Sequence, residues 1–515
     1  MRHSTAPGRP RIGFACLWEE VPERTWSGTA WNLRAGLRKV SDTVDIGVEF
    51  PALPRQALKA IHARYRGGRL TTPWCYSRVT DAFIDRALRR GLAQKSRDRD
   101  VAAVLQVEFL ASILPVPFYS YADCSWDALF ASVTRPRMYA DLMSLTPSAM
   151  ARRRDAQLAM YERAAGIIAM SHWFARSLVT QSGIPAKKVH VVHPGLSAGR
   201  TIAGPRSVRV RAAPRRKLLF VGRQNTPYAF YRKGGDLVVA ALSILRKEFD
   251  PGVTLTLAGL DRWPLPGEIP DGVTVLGALD PDEVARLYDE HDLFVMPSRQ
   301  ESFGLVFAEA LAAGLPCVAR NAYAMPEIVT PGVLGTLVDG DDPRALAEAI
   351  AAVLGNDDIY RQCASRAPDI AAYFSWERTA GDIAGIIGQG VCPEGDRRSG
   401  VSQRDITNGT LREGCHLGLD SGRTVRQSRL QAASLEVPMS LTHSPDTHKS
   451  LIARIPRQTG SELAEWFTRL ESGPAFLRRD ERVNWLADEH GICDRYAVAI
   501  VQEYEIRRQL RRFGL

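Results

Sequence analysis

Residues 292–320, DLFVMPSRQESFGLVFAEALAAGLPCVAR, constrain the fold more than any other stretch of the chain. An apolar run from Leu293 to Met296 is stopped by Pro297 and Ser298. A polar loop follows, and Leu305 to Ala313 then carries apolar residues at helical spacing until Gly314 ends it. The pattern predicts strand, loop, helix, strand, the repeating unit of an open parallel sheet. In such a sheet the loop lies at the carboxyl edge of the strands, and the backbone N–H groups of Phe303, Gly304 and Leu305 open the helix toward an anion. Glu301 in the loop and Glu309 in the second helical turn have seven residues between them, so both can face one ligand. Carboxylates accept hydrogen bonds from hydroxyls of the kind that sugars and ribose offer. An ordinary βα unit with two solvated glutamates is the plainer alternative.

A second cationic motif precedes it. Lys217 to Val221 reads as a strand, Gly222 and Arg223 follow at its end, and Tyr231–Arg232–Lys233–Gly234–Gly235 opens a helix. Arg223 and Lys233 thus fall at the ligand edge of the same predicted sheet as the two glutamates. Fixed cations there would stabilise charge that develops on a departing phosphate.

Together these residues, with the flanking MPS, SFG and EALAAGLP, resemble the Glu-x7-Glu signature of the retaining GT-B glycosyltransferases of family 4. The resemblance covers about residues 10–388. It implies an α/β protein with two Rossmann-like domains facing across a cleft. Residues 10–198 would form the acceptor domain and 199–388 the nucleotide-sugar domain, whose last helix, introduced by Phe374, Ser375 and Trp376, packs back on the first. Residue by residue, it implies that Arg223 and Lys233 reach the donor diphosphate, Glu301 holds sugar hydroxyls and Glu309 the ribose. Gly222, Ser302, Phe303, Gly304 and Leu305 would surround the donor, and the loop at Gly277 would meet the nucleotide base.

In the first domain, Arg11 to Trp18, Asp45 to Phe50, Val101 to Val107 and Pro117 to Asp123 read as strands. Gly28, in the loop before a helix from about Thr29 to Val40, corresponds to a family loop near the phosphates and acceptor; a plain tight turn is an equal reading. Asp123 stands where many family members present a histidine toward the sugar, and a turn-capping aspartate is the competing reading. His193 is read as structural. No residue stands out as a covalent nucleophile, and no Asp-x-Asp motif recruits a metal, so no cofactor is expected beyond the nucleoside-diphosphate sugar itself. The implied acceptor is a glycan or glycolipid. A catalytically silent nucleotide-sugar binder of the same fold is the rival reading, motivated by Asp123.

Composition sets the outer limits. The 515 residues accommodate about three domains, and 45% hydrophobic residues suffice for a sizeable core. The net charge of +10 suits acidic partners such as nucleotide diphosphates or anionic lipid headgroups, though a solvated basic surface is the commoner cause. A basic helical excursion through Arg86, Arg89 and Arg90 raises a peripheral membrane contact as an alternative to a solvated face. The eight cysteines show no C-x-x-C pair, which argues against zinc and disulfide frameworks and for a reducing, cytoplasmic setting. The first apolar run ends on Glu19 and Glu20, as a strand does rather than a signal peptide, and no stretch of about 18 apolar residues predicts a membrane span.

Residues 389–438 are polar, rich in Gly, Arg and Ser, and aperiodic, and are expected to be a disordered tether. Residues 439–515 turn amphipathic again, with Leu463, Trp466, Phe467 and Leu470 on one helical face. This segment resembles domain-of-unknown-function family 4287 and is expected to be a small helical domain. Its basic last helix is read as a solvated face, with no nucleic-acid partner.

Overall fold

A computed structural model describes residues 10–66, 69–97, 99–110, 113–132, 145–196, 214–224, 227–391, 445–473 and 479–490, together with 492, 496, 497 and 499–504. The chain divides into two compact units, Met1–His416 and Leu417–Leu515.

The first unit holds two six-stranded parallel sheets. One consists of β1 (Arg11–Ala15), β2 (Asp42–Asp45), β3 (Ala103–Val107), β4 (Phe118–Ala122), β5 (Gly166–Ala169) and β6 (Val189–Val191) in the order β6-β5-β4-β3-β1-β2. The other consists of β7 (Lys217–Gln224), β8 (Thr254–Leu260), β9 (Val273–Leu276), β10 (Leu293–Met296), β11 (Cys317–Arg320) and β12 (Gly335–Val338) in the order β9-β8-β7-β10-β11-β12. Strands β3, β4, β5 and β10 are buried at every position, as helices covering both faces of a parallel sheet require. In each sheet the chain reverses its direction of travel once, between β1 and β3 and between β7 and β10. Ligands of open α/β sheets bind at such switch points, outside the carboxyl ends of the strands.

The predicted first-domain strands shift at one place. The run expected from Asp45 to Phe50 splits: Asp42–Asp45 joins the main sheet, and Val48–Glu49 pairs with Leu17–Trp18 in a separate ladder. Asp45 causes the break, because its Oδ1 accepts the N–H of Gly47 at 2.7 Å and turns the chain.

The last helix of the first unit, Trp376–Val391, runs three residues past the expected boundary and lies on helix Thr29–Val40. Two glycines make the approach close enough. A Cβ on Gly36 would stand 2.9 Å from the Trp376 carbonyl, and one on Gly195 would stand 2.6 Å from the Trp376 nitrogen. Lys39 and Glu377 pair across the same contact at 2.6 Å. Ala380, Ile383 and Ile387 carry the buried face into the core that also holds Phe14, Leu33, Phe220 and Phe294.

The second unit gathers Ile455, Trp466, Phe467, Leu470 and Leu486 from helices Pro445–Thr459, Leu463–Ser472 and Arg479–His490 into its own core. The tether expected at 389–438 lies, from 392 onward, outside the described residues. Among the described residues no helix is long and apolar enough to cross a membrane, and the five described cysteines are free thiols.

Candidate active site

The loop after β10 is anchored by an arginine that the sequence reading passed over. Arg299 forks onto both oxygens of Asp236 at 2.6 and 2.8 Å and onto Asp341 at 2.8 Å, with only 11% of its side chain exposed. Its own N–H donates to the Arg232 carbonyl at 2.8 Å. These bonds tie the loop to the first turn of helix Gly235–Glu248, and so hold Lys233 beside Glu301. No motif flagged Arg299, because its partners lie far away in sequence.

Lys233 and Glu301 form an ion pair, with 18% and 13% of their side chains exposed. The glycines after Lys233 fix its position. Gly234 is left-handed at φ 77°, and a Cβ there would sit 2.5 Å from the Pro297 carbonyl; on Gly235 it would meet the Phe230 ring at 2.1 Å. The two segments can therefore touch only where side chains are absent.

Three helices at the carboxyl edges of the sheets begin alike: Thr29–Val40, Gly235–Glu248 and Leu305–Ala312 follow Gly28, Gly234 and Gly304, all left-handed and none offering a side-chain cap. Elsewhere Ser77, Thr146, Ser171, Asp280, Asp342 and Asn356 cap their helices with a side-chain oxygen. A helix start leaves N–H groups without intrahelical partners, and a glycine cap leaves them for another acceptor.

Across the gap stands the end of β4. Asp123 lies beside Ser302 and feels the charges of Glu301 and Lys233, so the carboxyl edges of the two sheets face each other across a cleft. Burial, then the Glu301 charge, pushes Asp123 up to about 6. Nearby, Glu108 follows β3 with a left-handed φ of 61°. Its side chain is exposed, yet protein crowds it closely enough to disfavour its charge. Burial, then Asp123 and Glu19, push it up to about 8. Trp26 and Ser27 are also left-handed, at φ 50° and 57°. Non-glycine residues hold this conformation only where surrounding structure enforces it. Here Thr25 accepts the Glu19 N–H at 3.0 Å, and Trp26 packs edge-on against Tyr121.

The remaining sequence-predicted residues divide. Gly222 and Arg223 lie where β7 loses its register with β8, at the ligand edge; the Arg223 side chain is outside the described part. Phe303 is buried against His193, and Leu305 is the first residue of its helix. Gly277 accepts the Gly259 N–H at 3.1 Å, and a side chain there would meet open space. Glu309 does not share the half-open position of Glu301. It is 2% exposed and accepts the Tyr288 hydroxyl at 3.0 Å, because the second helical turn points into the layer against β10. Lys233, Glu301, Ser302 and Asp123 thus come together, and Glu108 and Glu19, neither read as a site residue in the sequence, join them.

Comparison with known proteins agrees with this architecture. The solved sucrose-phosphate synthase of Thermosynechococcus elongatus superposes with a TM-score of 0.53 at 18% identity, covering 74% of this chain and 99% of that one. The fold is GT-B. Residues 215–356 match the family model described as glycosyl transferases group 1, and residues 447–505 match the domain of unknown function DUF4287. A D-inositol 3-phosphate glycosyltransferase of Salinispora arenicola is 31% identical over 263 residues, 45% of this chain and 56% of that protein. Its namesake in Corynebacterium urealyticum is 45% identical over 100 residues, 19% of this chain and 24% of that protein. The chain spans about half the length, or less, of the curated relatives it matches.

Proposed function

We propose that this chain is a retaining glycosyltransferase of the family 4 type, moving a sugar from a nucleoside diphosphate to a hydroxyl-bearing acceptor. The observation that carries the reading is the meeting of Asp123 with Glu301, Ser302 and Lys233 across the cleft, beside two helix starts capped by glycine. The names of the relatives point the same way. On donor binding, the Lys233–Glu301 pair is exchanged for two others: the ammonium turns to the diphosphate and the freed carboxylate takes sugar hydroxyls. The bond from the anomeric carbon to the phosphate oxygen breaks as the acceptor oxygen bonds to that carbon on the same face. The acceptor's proton passes to the leaving phosphate. Lys233, Arg223 and the N–H groups at Gly304 and Leu305 carry the charge that develops there. Glu309, whose Oε2 accepts the Tyr288 hydroxyl, would take a ribose hydroxyl on its other carboxylate sites.

On the acceptor side, Glu19, Glu108 and Asp123 gather, and carboxyl groups accept hydrogen bonds from hydroxyls. A polyol, glycan or glycolipid headgroup suits them. Leu53, Ile61 and Tyr65 are 84%, 66% and 74% exposed beside Lys59 and Arg64, which supports a peripheral contact with an anionic membrane face in the cytoplasm.

The test is transfer from a panel of nucleoside-diphosphate sugars to neutral and phosphorylated polyols, with the product anomer read by proton NMR. Retained configuration is expected. Inversion, or donor binding without transfer or hydrolysis, would overturn the proposal.

A further inference from the structure

We infer that the first unit carries a site for a borderline transition-metal ion, zinc in type, formed by His172, His193 and Glu327, a set separate from Lys233, Glu301 and Asp123. One imidazole nitrogen of each histidine and a Glu327 carboxylate oxygen all lie within 4.8 Å of one another. His172 opens helix His172–Thr180, His193 follows β6, and Glu327 lies on the short helix Met325–Ile328 beyond β11. The ligands therefore come from both sheets' sides of the molecule.

His193 supplies the independent observation. It is 8% exposed, and its buried Nε2 makes no geometrically sound hydrogen bond. That nitrogen stands 3.4 Å from Glu327 Oε2. Two ligands of a tetrahedral zinc, each at about 2.0–2.1 Å, are about 3.3–3.4 Å apart, so this pair already spans one edge of the polyhedron. The other ring nitrogen, Nδ1, meets the Tyr373 hydroxyl at 2.9 Å. If Nδ1 carries the proton and donates to Tyr373, the Nε2 lone pair is left for a metal, which is how ligating histidines are held. Phe303, Tyr373 and Phe374 pack around the ring and fix its plane.

Glu327 is oriented as well. Its Oε2 accepts the His172 N–H at 2.7 Å and its Oε1 the Trp173 N–H at 2.6 Å, leaving a lone pair on Oε2 facing His193. The His172 ring is exposed and stands edge-on to His193 at 5.8 Å, so it closes the set from the solvent side by a side-chain rotation. Two neutral imidazoles and one carboxylate favour zinc, cobalt or nickel over magnesium. A fourth position faces water.

The experiment uses the full chain, stripped with a chelator and titrated with zinc alone by calorimetry, then with cobalt alone by visible absorption. One ion per chain and tetrahedral cobalt bands without a thiolate charge-transfer band are expected. His172→Asn and Glu327→Gln should each weaken binding by about 100-fold, and Tyr373→Phe by about 10-fold through loss of the orienting bond. His172 is exposed, so its variant folds and decides the matter if the buried variants do not. Failure of the wild-type chain to bind zinc, unchanged affinity in His172→Asn, or a thiolate band placing cobalt on a cysteine would overturn the assignment.

Discussion

Replacing Asp123 by asparagine tests whether an acid is held in the cleft against the stability of the fold. Its carboxyl is raised from 3.8 to about 6, by burial first and then by the Glu301 charge, against the neighbouring Ser302 hydroxyl and the Lys233 charge. A rise of about two units at 1.36 kcal/mol per unit comes to about 3 kcal/mol against the ionised form. The side chain is partly open to water, and screening reduces this to about 1–2 kcal/mol. The sign follows from proton binding: the native state keeps the proton to higher pH than the unfolded chain. Stability is therefore whole below about pH 4, falls as the pH rises through about 6, and levels off above it. Asparagine has no charge to bury. In urea unfolding followed by circular dichroism, Asp123→Asn should match wild type near pH 4 and exceed it by about 1–2 kcal/mol near pH 8, while sugar transfer falls. An offset that is the same at every pH, or a variant less stable at pH 8, would refute the reasoning and leave Asp123 an ordinary turn anchor.

Other outcomes follow from the same geometry. Lys233→Met and Glu301→Gln should each lower turnover by about 10²–10³, the usual loss for one charge-stabilising contact, and steady-state kinetics will show it. Gly234→Ala forces a left-handed alanine, at about 1–2 kcal/mol, into contact with the Pro297 carbonyl; displacement of Lys233 should then cost about 10² in turnover, with a lowered melting temperature. Arg299→Met leaves Asp236 without its cation and Asp341 with Arg320 alone, and denaturant unfolding should register a loss of about 1–3 kcal/mol, since both carboxylates are partly exposed.

How much of this was legible in the sequence depends on how local each determinant is. The strand, loop and helix from Leu293 to Ala312 could be read because apolar runs, Pro297 and Gly304 act on their own neighbours. Asp42–Asp45 was misplaced because it has no buried position to give a strand signal, and its pairing with β1 is a long-range choice. Strand β12, four residues beginning with glycine, was missed likewise. In the site, Glu301 was found through the seven-residue gap to Glu309 within a strand-loop-helix unit, and Lys233 through its place at a helix start beside the same sheet edge. Arg299 was not, since its meaning lies in Asp236 and Asp341. Glu108 was hidden too: its left-handed backbone and its neighbours Asp123 and Glu19 are set by the fold, not by adjacent residues.

In the proposed function, one hollow between the two sheets holds a nucleoside diphosphate sugar by Lys233, Glu301 and two glycine-capped helix starts. A crystal structure of the chain with a nucleoside diphosphate and its sugar tests it most directly. Phosphate oxygens are expected within hydrogen-bond reach of Lys233 Nζ and the N–H groups after Gly304, with Glu301 turned from Lys233 to a sugar hydroxyl. A diphosphate bound elsewhere, with the Lys233–Glu301 pair intact, would contradict it.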